Sequence, residues 1–314
     1  MTDGALAIET HGLTKRFGSQ LAVNQLDIAV PSGSVFGFLG PNGSGKTTTI
    51  RMLLGLASAT SGEIRMLGSA MPQSLQSVLP RVGALVEGPA IYPFLSGRAN
   101  LARLDSADRF ASSRTRTARV DAALDRVGLT HAARKKAHAY SLGMKQRLGI
   151  ANALLTPRDL LILDEPTNGL DPQGTREMRN LIRSLAAEGT TVFVSSHLLA
   201  EIEQTCSHVA VMSAGRLVAQ GTLDDLRAEG VTRVEVRTPD LDLAREVLAR
   251  WGLESQPGPI DSSLTAALTT SIPVEQLSEA LVTAGVRLRG FTAEGASLED
   301  RFVALTGEGF DVAE

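Results

Sequence analysis

The feature that most constrains this chain is a glycine-rich octapeptide between an apolar strand and a helix. Residues 35–39 form a short, nearly unbroken apolar run that is typical of a buried strand. Gly-Pro-Asn-Gly-Ser-Gly-Lys-Thr follows at residues 40–47, and apolar residues then recur at helical spacing at Ile50, Leu53, Leu54 and Ala57. This order of strand, glycine loop and helix satisfies the phosphate-binding loop pattern in full.

Each part of the octapeptide has a chemical reason. Glycines let successive backbone N–H groups converge on phosphate groups, and the N-terminus of the helix adds positive potential. Lys46 supplies a mobile cation, and Thr47 offers a hydroxyl to Mg²⁺. A glycine-rich turn without a ligand explains the glycines but not the Lys-Thr pair. The sequence therefore predicts a site for phosphates and Mg²⁺.

Two further apolar strands end in polar residues. Residues 160–163 run into Asp164 and Glu165, and residues 191–194 run into two serines and His197. Strands that alternate with helices favour a mainly parallel sheet, whose carboxyl ends carry the chemistry. Asp164 can then reach Mg²⁺, and Glu165 points to where an attacking water would stand. His197 is either a γ-phosphate contact or a structural hydrogen-bonding residue.

Charge and cysteine usage exclude several classes of protein. Lys and Arg total 31 against 34 Asp and Glu, so no global field draws the chain to nucleic acid or anionic lipid, and binding to either needs a local patch. A single cysteine, Cys206, forms no intramolecular disulfide and fits a reducing compartment. The N-terminus does not resemble a secretory signal, and no apolar run approaches the ~18 residues of a spanning helix. We expect a cytosolic chain that reaches the membrane through another subunit.

The chain is expected to contain two domains, residues 1–228 and 229–314. Residues 6–30 alternate around turn signals, which predicts a small antiparallel sheet. After Gly230 the elements are short and follow the order β-α-β-β-α-β of the ferredoxin-like split motif. The predicted elements are strand 233–238, helix 241–251, extended segment 253–260, strand 264–271, helix 274–284, strand 286–292 and a last helix 298–305.

The segment Tyr-Ser-Leu-Gly-Met-Lys-Gln-Arg at residues 140–147 resembles the signature motif of ABC-type ATPases. With it, residues 6–226 resemble the ATP-binding subunit of an ABC transporter, particularly of bacterial ABC-2-type exporters of the bacitracin and daunorubicin resistance kind. The resemblance implies an α/β fold, in which a P-loop ABC ATPase domain contains a parallel sheet core, an antiparallel β subdomain and a helical subdomain. A small C-terminal α+β ferredoxin-like accessory domain would stabilise or regulate the dimer.

The resemblance also implies a role for each motif residue. ATP and Mg²⁺ are the implied ligands. Phe17 would stack on adenine, Asp164 would hold the metal, Glu165 would be the catalytic base and His197 would sense the γ-phosphate. The implied phosphate and Mg²⁺ ligands are Gly40, Pro41, Asn42, Gly43, Ser44, Gly45, Lys46, Thr47 and Thr48.

The implied partners are a second copy of the chain and a permease. Two ATP-binding domains would sandwich two ATP molecules head to tail, so that Ser141 and Gly143 cap the ATP of the other subunit. Asp171 lies in a loop that family members use across the dimer. The segment from Glu87 to Leu95 would receive a cytoplasmic helix of an ABC-2-type permease, although its aromatic residues could also pack within the helical subdomain.

Two positions depart from the family pattern. Glu87 stands where glutamine is usual, so a carboxylate would bind Mg²⁺ or position water there. Leu142 stands where glycine is usual in the signature, so its backbone cannot adopt glycine-only angles without strain. We interpret both as subfamily features, because Glu165 and His197 are present.

The sequence thus predicts the ATP-hydrolysing subunit of an exporter, attached to the cytoplasmic face of the cell membrane through its permease. Drugs, antibiotics or other hydrophobic compounds are the expected substrates, with lipids or glycans as the alternative. Two competing readings are a soluble ABC ATPase that acts on ribosomes or nucleic acid, and a catalytically silent ATP-binding subunit. The single phosphate loop and the lack of a broad basic surface argue against a nucleic-acid partner.

Overall fold

The chain divides between Leu223 and Asp224 into two units, each with an apolar core of its own. The computed structural model describes residues 5–108, 111–228, 232–268 and 272–294. The predicted last helix, residues 298–305, lies outside these described residues.

The first unit begins with a strand-rich segment and continues as alternating strands and helices. Its strands are β1 (Leu6–Phe17), β2 (Gln20–Leu26), β3 (Ala29–Pro31), β4 (Val35–Leu39), β5 (Ser61–Met66), β6 (Ser69–Met71), β7 (Val82–Leu85), β8 (Leu160–Asp164), β9 (Thr191–Ser196), β10 (His208–Ser213) and β11 (Arg216–Thr222). Its helices are α1 (Lys46–Leu53), α2 (Leu75–Val78), α3 (Gly97–Asp105), α4 (Arg116–Arg126), α5 (Leu142–Ala153), α6 (Pro172–Ala187) and α7 (Leu199–Thr205). Helix α8 (Leu223–Ala228) begins at the division.

A six-stranded sheet forms the centre of the first unit. Its strand order is β11-β10-β4-β9-β8-β7, in which the pairs from β10 to β7 are parallel and β11 is antiparallel to β10. Strands β4, β8 and β9 are buried throughout, which is why their central residues are apolar. The Phe193 ring lies 5.8 Å from that of Phe36 and 5.2 Å from that of Phe38. The predicted parallel core is confirmed.

Two further layers complete this unit. Strands β2, β1, β5 and β6 form an antiparallel sheet in that order, and β3 pairs with β1. The predicted antiparallel sheet is therefore present. Residues of this sheet share one hydrophobic core with β4, β9 and α1, so the two sheets form one packed body. Helices α3, α4 and α5 pack on one another as a helical group.

A buried carboxylate fastens the helical group. Asp105, at the end of α3, accepts hydrogen bonds from Arg119 Nε at 2.8 Å and Arg116 Nε at 3.0 Å, both on α4. Hydrogen bonds from Arg119 and then Arg116 hold the pKa of the Asp105 carboxyl below its usual range, although burial acts in the opposite direction. The pair of arginines compensates the charge that burial would otherwise penalise.

The second unit contains a four-stranded antiparallel sheet and two longer helices. Its described elements after α8 are β12 (Thr232–Arg237), α9 (Leu241–Arg250), β13 (Ser255–Pro257), β14 (Ser263–Leu268), α10 (Val274–Thr283) and β15 (Gly290–Glu294). The strand order is β13-β14-β12-β15, and every pair is antiparallel. Its core consists of apolar residues from β12, β14, α9 and α10.

The last described strand begins later than the sequence predicts. A strand over 286–292 was expected, but β15 begins at Gly290. The Val286 N–H bonds to the Leu281 carbonyl at the end of α10, and the Arg287 N–H bonds to Asp240 Oδ2 at 3.0 Å. These two N–H groups are thus used outside the sheet, and strand pairing starts only after them.

Candidate functional site

The phosphate-binding loop follows β4 at the carboxyl edge of the parallel sheet, and α1 begins directly after it at Lys46. Gly45 has a left-handed φ of 105°, and a Cβ atom there would lie 2.5 Å from the Ala22 carbonyl oxygen. A Cβ atom at Gly40 would lie 2.6 Å from the Met212 carbonyl oxygen. The loop can therefore approach its neighbours this closely only with glycine at these two positions.

The loop is tied to the antiparallel sheet by hydrogen bonds through Gly215, in the β10–β11 turn. The Gly215 N–H donates to the Ser44 carbonyl at 3.1 Å, and the Gly215 carbonyl accepts from the Asn24 N–H of β2 at 2.7 Å. Together with the contact between Gly45 and Ala22, these bonds fix the loop against β2.

Two polar groups of the loop are poised for a ligand. Lys46 is buried, and its Nζ donates to the Gly40 carbonyl at 2.6 Å and the Pro41 carbonyl at 3.3 Å. Ser44 Oγ is buried without a hydrogen-bond partner in the described part of the chain. A buried hydroxyl normally has a partner, so this orphan fits a phosphate oxygen. Among the other predicted loop ligands, Asn42 and Gly43 are exposed, and Thr48 is half-buried.

The predicted carboxylates stand at the end of β8, beside the loop. The Thr47 hydroxyl donates to Asp164 Oδ2 at 3.0 Å. Asp164 Oδ1 accepts from the Ser195 hydroxyl at 2.6 Å, and Ser195 Oγ in turn accepts from the Glu165 N–H at 2.9 Å. One hydroxyl of β9 thus orients the Asp164 carboxylate and holds the backbone of Glu165.

Glu165 is the centre of a charged cluster. Its Oε1 lies 3.3 Å from Lys46 Nζ, and its Oε2 lies 2.8 Å from His197 Nδ1. The backbone of Glu165 is left-handed, with φ of 48°, which is a strained conformation for a non-glycine residue. The fold therefore brings together Lys46, Thr47, Asp164, Glu165 and His197 as the sequence predicts.

The sequence reasoning missed a second polar network next to this cluster. Glu201 Oε2 on α7 accepts from the Thr167 hydroxyl at 2.5 Å and from the Ser196 hydroxyl at 3.1 Å. Ser196 Oγ also accepts from the Leu198 N–H at 3.0 Å. The network joins the loop after Glu165 to the loop that carries His197. The sequence places Ser195 and Ser196 at the end of a buried strand, where every hydroxyl needs a hydrogen-bond partner. This need is the feature of the sequence that could have predicted the network.

The signature residues form a separate groove of about 420 Å³. Ser141 caps α5 by accepting from the Met144 N–H at 3.2 Å, and Asp171 caps α6 by accepting from the Gly174 N–H at 2.7 Å. Gly143 lines the same groove. The groove thus presents the N-terminus of α5, whose first-turn N–H groups favour an anion, while the Asp171 carboxylate already caps the N-terminus of α6.

Leu142 does not adopt the glycine-only backbone angles that would strain a leucine. Leu142 is the first residue of α5 and has no left-handed φ, so its backbone is compatible with any side chain. Its side chain is exposed and lies beside Gly169 in the loop before α6.

Phe17 and Glu87 contact basic residues outside the charged cluster. Phe17, at the end of β1, is 50 % exposed, and Lys15 Nζ lies 4.7 Å from the centre of its ring. Glu87 has a left-handed φ of 57°, is exposed and forms an ion pair with Arg51 near the end of α1. Its carboxylate is thus paired with an arginine and does not join Asp164 and Thr47, as a shared metal site would require.

Comparison with known proteins agrees with this geometry. A family model described as "ABC transporter" matches residues 23–168. The bacitracin transport ATP-binding protein BcrA of Bacillus licheniformis is 42 % identical over 304 residues, which cover 96 % of this chain and 98 % of that protein. This chain belongs to the ABC transporter ATP-binding proteins. The daunorubicin resistance ATP-binding protein DrrA3 of Streptomyces coeruleorubidus is 36 % identical over 318 residues, which cover 100 % of this chain and 99 % of that protein.

A solved structure supports the same assignment. CbiO1 from Clostridium perfringens, described as part of the ABC transporter complex cbiONQ, aligns with a TM-score of 0.66 and 26 % identity over 79 % of this chain and 96 % of that one. ABC transporter ATPase subunits bind ATP and pair with a transmembrane permease, and the family hydrolyses ATP to power transport. The predicted family and enzyme class are confirmed. Within the described residues, no helix has the length and apolar character needed to cross a membrane.

Proposed function

We propose that this chain is the ATP-hydrolysing subunit of an ABC-2-type exporter and works at the cytoplasmic face of the membrane through separate permease subunits. The observation that carries the hydrolytic role is the Glu165 carboxylate, which contacts both Lys46 and His197 beside the Thr47–Asp164 pair. Export of drugs or antibiotics is supported by relatives named for bacitracin transport and daunorubicin resistance. Lipids or glycans are the alternative substrates.

The phosphate loop supplies binding energy for ATP. The Lys46 ammonium group donates to two neutral carbonyls and contacts one carboxylate, so a triphosphate offers it a more strongly charged partner. If the Lys46 ammonium group moved to the phosphates, Glu165 Oε1 would lose its contact with Lys46. The backbone N–H groups from Gly43 to Thr48 and the Ser44 hydroxyl complete the proposed phosphate contacts.

The donor set beside the loop fits Mg²⁺. Hydroxyl and carboxylate oxygens are typical ligands of this ion, and Thr47 Oγ1 and Asp164 Oδ2 lie 3.0 Å apart, so both can face one cation. When bound, Mg²⁺ neutralises charge that develops on the transferring phosphate. Ser195 keeps Asp164 Oδ1 occupied, which leaves Oδ2 for the metal. A metal or water-positioning role for Glu87 would require its pair with Arg51 to open.

Glu165 is the proposed general base. Its carboxylate would accept the proton of the water that attacks the γ-phosphate, and Lys46 and His197 fix the direction in which its two oxygens point. The left-handed backbone of Glu165 and the hydrogen bond from its N–H to Ser195 restrain the side chain further. His197 would contact the γ-phosphate and hold Glu165 at the same time, so loss of the phosphate alters both contacts.

The signature groove is proposed to bind the ATP of a second copy of this chain. In a head-to-tail pair, Ser141 and Gly143 would cap the γ-phosphate held by the partner, and Asp171 would contact the partner across the interface. The support for this is the N-terminus of α5 in the groove, which has a neutral serine cap and therefore favours an anion. Phe17 is the proposed adenine platform, and its exposed ring fits that role.

Residues 229–314 are proposed to form a ferredoxin-like accessory domain that stabilises or regulates the dimer. The support is the strand order β13-β14-β12-β15 with two helices inserted in the β-α-β-β-α-β pattern. Deletion of residues after Gly230 is expected to weaken dimerisation or to change the rate of ATP hydrolysis. Unchanged dimer affinity, ATPase rate and complex assembly would remove this part of the proposal.

The exporter assignment is tested by purification from the native host. The tagged chain is extracted from membranes in detergent, and the proposal expects a stoichiometric polytopic protein to co-purify and to alter its ATPase rate. A variant in which a glycine-serine loop replaces the loop from Glu87 to Leu95 serves as the control for permease binding. This variant should no longer co-purify with the polytopic protein. Recovery of an active ATPase with ribosomes, or without any partner, would instead favour the soluble ABC ATPase.

A further inference from the structure

Two segments of the helical group run side by side on its surface. Residues 93–98 and residues 133–138 are joined by four backbone hydrogen bonds. In these bonds the N–H groups of Ala137 and His138 donate to the first segment, and those of Gly97 and Arg98 donate to the second, at 2.8–3.2 Å. We call these two segments the basic ribbon. The bonds make it one antiparallel surface, although its two segments are far apart in sequence.

The basic ribbon and the residues that flank it carry more positive charge than their ion pairs neutralise. Neither residues 91–103 nor residues 131–138 contain an Asp or Glu, while together they contain five Lys and Arg residues. Arg98 pairs with Asp121, and Arg103 stacks on Tyr92, so these two cations are engaged. The other three, the consecutive Arg134, Lys135 and Lys136, are exposed and form no ion pair with any described residue. The chain as a whole has a formal net charge of -3, so this is a local patch.

An exposed aromatic side chain stands within the ribbon. Phe94 is 79 % exposed, more than the other large hydrophobic residues that the structure describes as exposed. Its ring centre lies 6.5 Å from that of His138 on the opposite segment. An aromatic anchor bordered by cations is a common composition for the energetic centre of a protein interface.

Side-chain hydrogen bonds from one buried residue hold the first segment of the ribbon in place. Asn100 is fully buried, and its side chain forms four hydrogen bonds to the backbone of the loop before α3, with Tyr92 N–H and with the carbonyls of Tyr92, Leu95 and Ser96. A preformed loop loses little conformational entropy on binding a partner of fixed shape. Insertion into a fluid bilayer gains nothing from such rigidity, so this observation favours a folded protein segment over lipid.

We propose that the basic ribbon binds an acidic amphipathic segment of the permease, with carboxylates facing Arg134, Lys135 and Lys136 and an apolar side chain against Phe94. This inference rests on the proposed exporter function and adds the chemistry of the partner. The ribbon continues the loop that begins at Glu87, whose carboxylate pairs with Arg51 on α1. A single loop therefore links the ribbon to a contact with α1, the helix that carries Lys46 and Thr47.

A rebinding experiment tests the charge. Membrane vesicles from the native host, turned inside out and stripped of this protein by urea, are titrated with the purified full chain. The variant R134Q/K135Q/K136Q is expected to bind about ten-fold more weakly and to show a smaller loss of binding on addition of salt. Phe94→Ser is expected to weaken binding about ten-fold or more, with little change in the salt dependence.

A matched variant controls for net charge. R65Q/R250Q/R289Q loses the same number of positive charges at exposed positions outside the ribbon and should bind as the wild type does. We expect all variants to have the melting temperature and the basal ATPase rate of the wild type, because the substituted side chains are on the surface. Equal binding by the ribbon variant and the wild type would overturn the proposal.

Protein and lipid partners are separated by two further probes. Stripped vesicles treated with trypsin should lose binding. Vesicles of phosphatidylcholine and phosphatidylglycerol, whose anionic surface attracts polybasic segments, should bind weakly. Binding to these lipid vesicles as tight as to native membranes would overturn the proposal in favour of a lipid surface. If the wild type binds neither kind of vesicle while it hydrolyses ATP, the exporter function itself fails.

Cross-linking identifies the bound segment. The single native cysteine, Cys206, is buried and burial raises the pKa of its thiol, so Lys136→Cys provides one reactive thiol for a benzophenone maleimide. Irradiation on stripped vesicles and peptide sequencing should recover a segment of a polytopic protein that contains at least two Asp or Glu residues. A cross-linked segment without acidic residues, or lipid adducts alone, would overturn the proposal.

Discussion

The parallel sheet of the first unit and the antiparallel sheet of the second unit place their charges differently. At the carboxyl edge of the parallel sheet, Lys46 and Asp164 are buried and hydrogen-bonded to other residues. In the second unit the core is apolar, and the Asp240–Arg287 pair lies at the surface, with the arginine side chain 74 % exposed. Burial of a charge costs free energy even when the charge is paired. In the described part of the second unit no charged residue is buried as a whole, although the Oε1 atom of Glu235 is buried without a hydrogen-bond partner. The first unit thus accepts more of this cost, as expected of a site built for chemistry.

The largest expected effect concerns the charge at the centre of the site. Glu165→Gln keeps the shape of the side chain but removes a carboxylate that can accept a proton, so ATP turnover should fall by about 100-fold or more. Phosphate release at saturating ATP measures turnover, and nucleotide binding should persist. Glu254→Gln, an exposed acid in the second unit, is the control and should turn over ATP normally. Turnover by Glu165→Gln at the wild-type rate would show that another group is the base.

A buried charge remote from the site sharpens the comparison. Asp105→Asn leaves Arg116 and Arg119 with a neutral partner and should destabilise the first unit by about 3 kcal/mol, the low end for breaking a buried ion pair. ATP turnover per folded molecule should not change, because Asp105 fastens α3 to α4 only. Urea unfolding measures the free energy. Slower ATP turnover by the fully folded variant would mean that the buried charge of Asp105 also contributes to ATP hydrolysis.

The same variant has a pH dependence with a defined sign. The pKa of Asp105 is lower in the folded state than its ordinary value, because Arg119 and Arg116 donate to the carboxylate. Its stabilisation is therefore complete above the unfolded value of about 3.9 and is lost as the pH falls through the folded pKa. The difference in free energy of unfolding between Asp105→Asn and the wild type should thus be constant near neutral pH. It should shrink as the pH falls into the acid range. A difference that grew in acid would contradict this assignment.

The hydroxyl of Ser195 should have a smaller effect on rate. Ser195→Ala frees Asp164 Oδ1 and the Glu165 N–H, so we expect about ten-fold slower turnover, a typical loss for one supporting hydrogen bond near a metal, and a higher Mg²⁺ requirement. Thr10→Val is the matched control. Thr10 Oγ1 likewise donates one hydrogen bond and accepts one, but in the antiparallel sheet, where it donates to the Leu26 carbonyl at 2.8 Å and accepts from the Ile28 N–H at 3.0 Å. Equal turnover by both variants would exclude a positioning role for Ser195.

The smallest effect is expected in the second unit. Hydrogen bonds from Arg287 lower the pKa of Asp240 to about 2, but the pair is at the surface. Asp240→Asn should lower the melting temperature by about 2 °C or less at neutral pH, with less effect at high salt. Because the folded pKa is lowered, even this difference should disappear as the pH falls from about 4 toward 2. Calorimetry over a pH series provides the measurement.

Local patterns predicted the parts of the site that each strand delivers by itself. The loop after β4, the acids after β8 and His197 after β9 are read from consecutive residues, and parallel strands bring their ends to one edge. The architecture of the first unit follows from the same reasoning. In this part of the chain strands alternate with helices, so the order of the elements in the sequence predicts that the strands are parallel.

Properties that depend on distant pairings could not be predicted. The bridge from Ser195 to Asp164 exists because these two residues are paired in the register of β8 and β9, which no local pattern specifies. The pairing of Glu87 with Arg51 likewise depends on how the loop after β7 packs near α1. The start of β15 was misplaced because Asp240, far away in sequence, binds the Arg287 N–H.

The hydrogen bonds that join the phosphate loop to β2 through Gly215 also influence how a nucleotide is held. Phe17 pairs with Gln20 at the start of β2, so the proposed adenine platform and the phosphate loop keep a set separation whether or not ATP is present. The entropy of aligning the two subsites is then lost when the chain folds, not when the ligand binds. Contact at one end of ATP raises the effective concentration of the other end at its subsite. The tightness of nucleotide binding is thus partly determined by the folding of the antiparallel sheet.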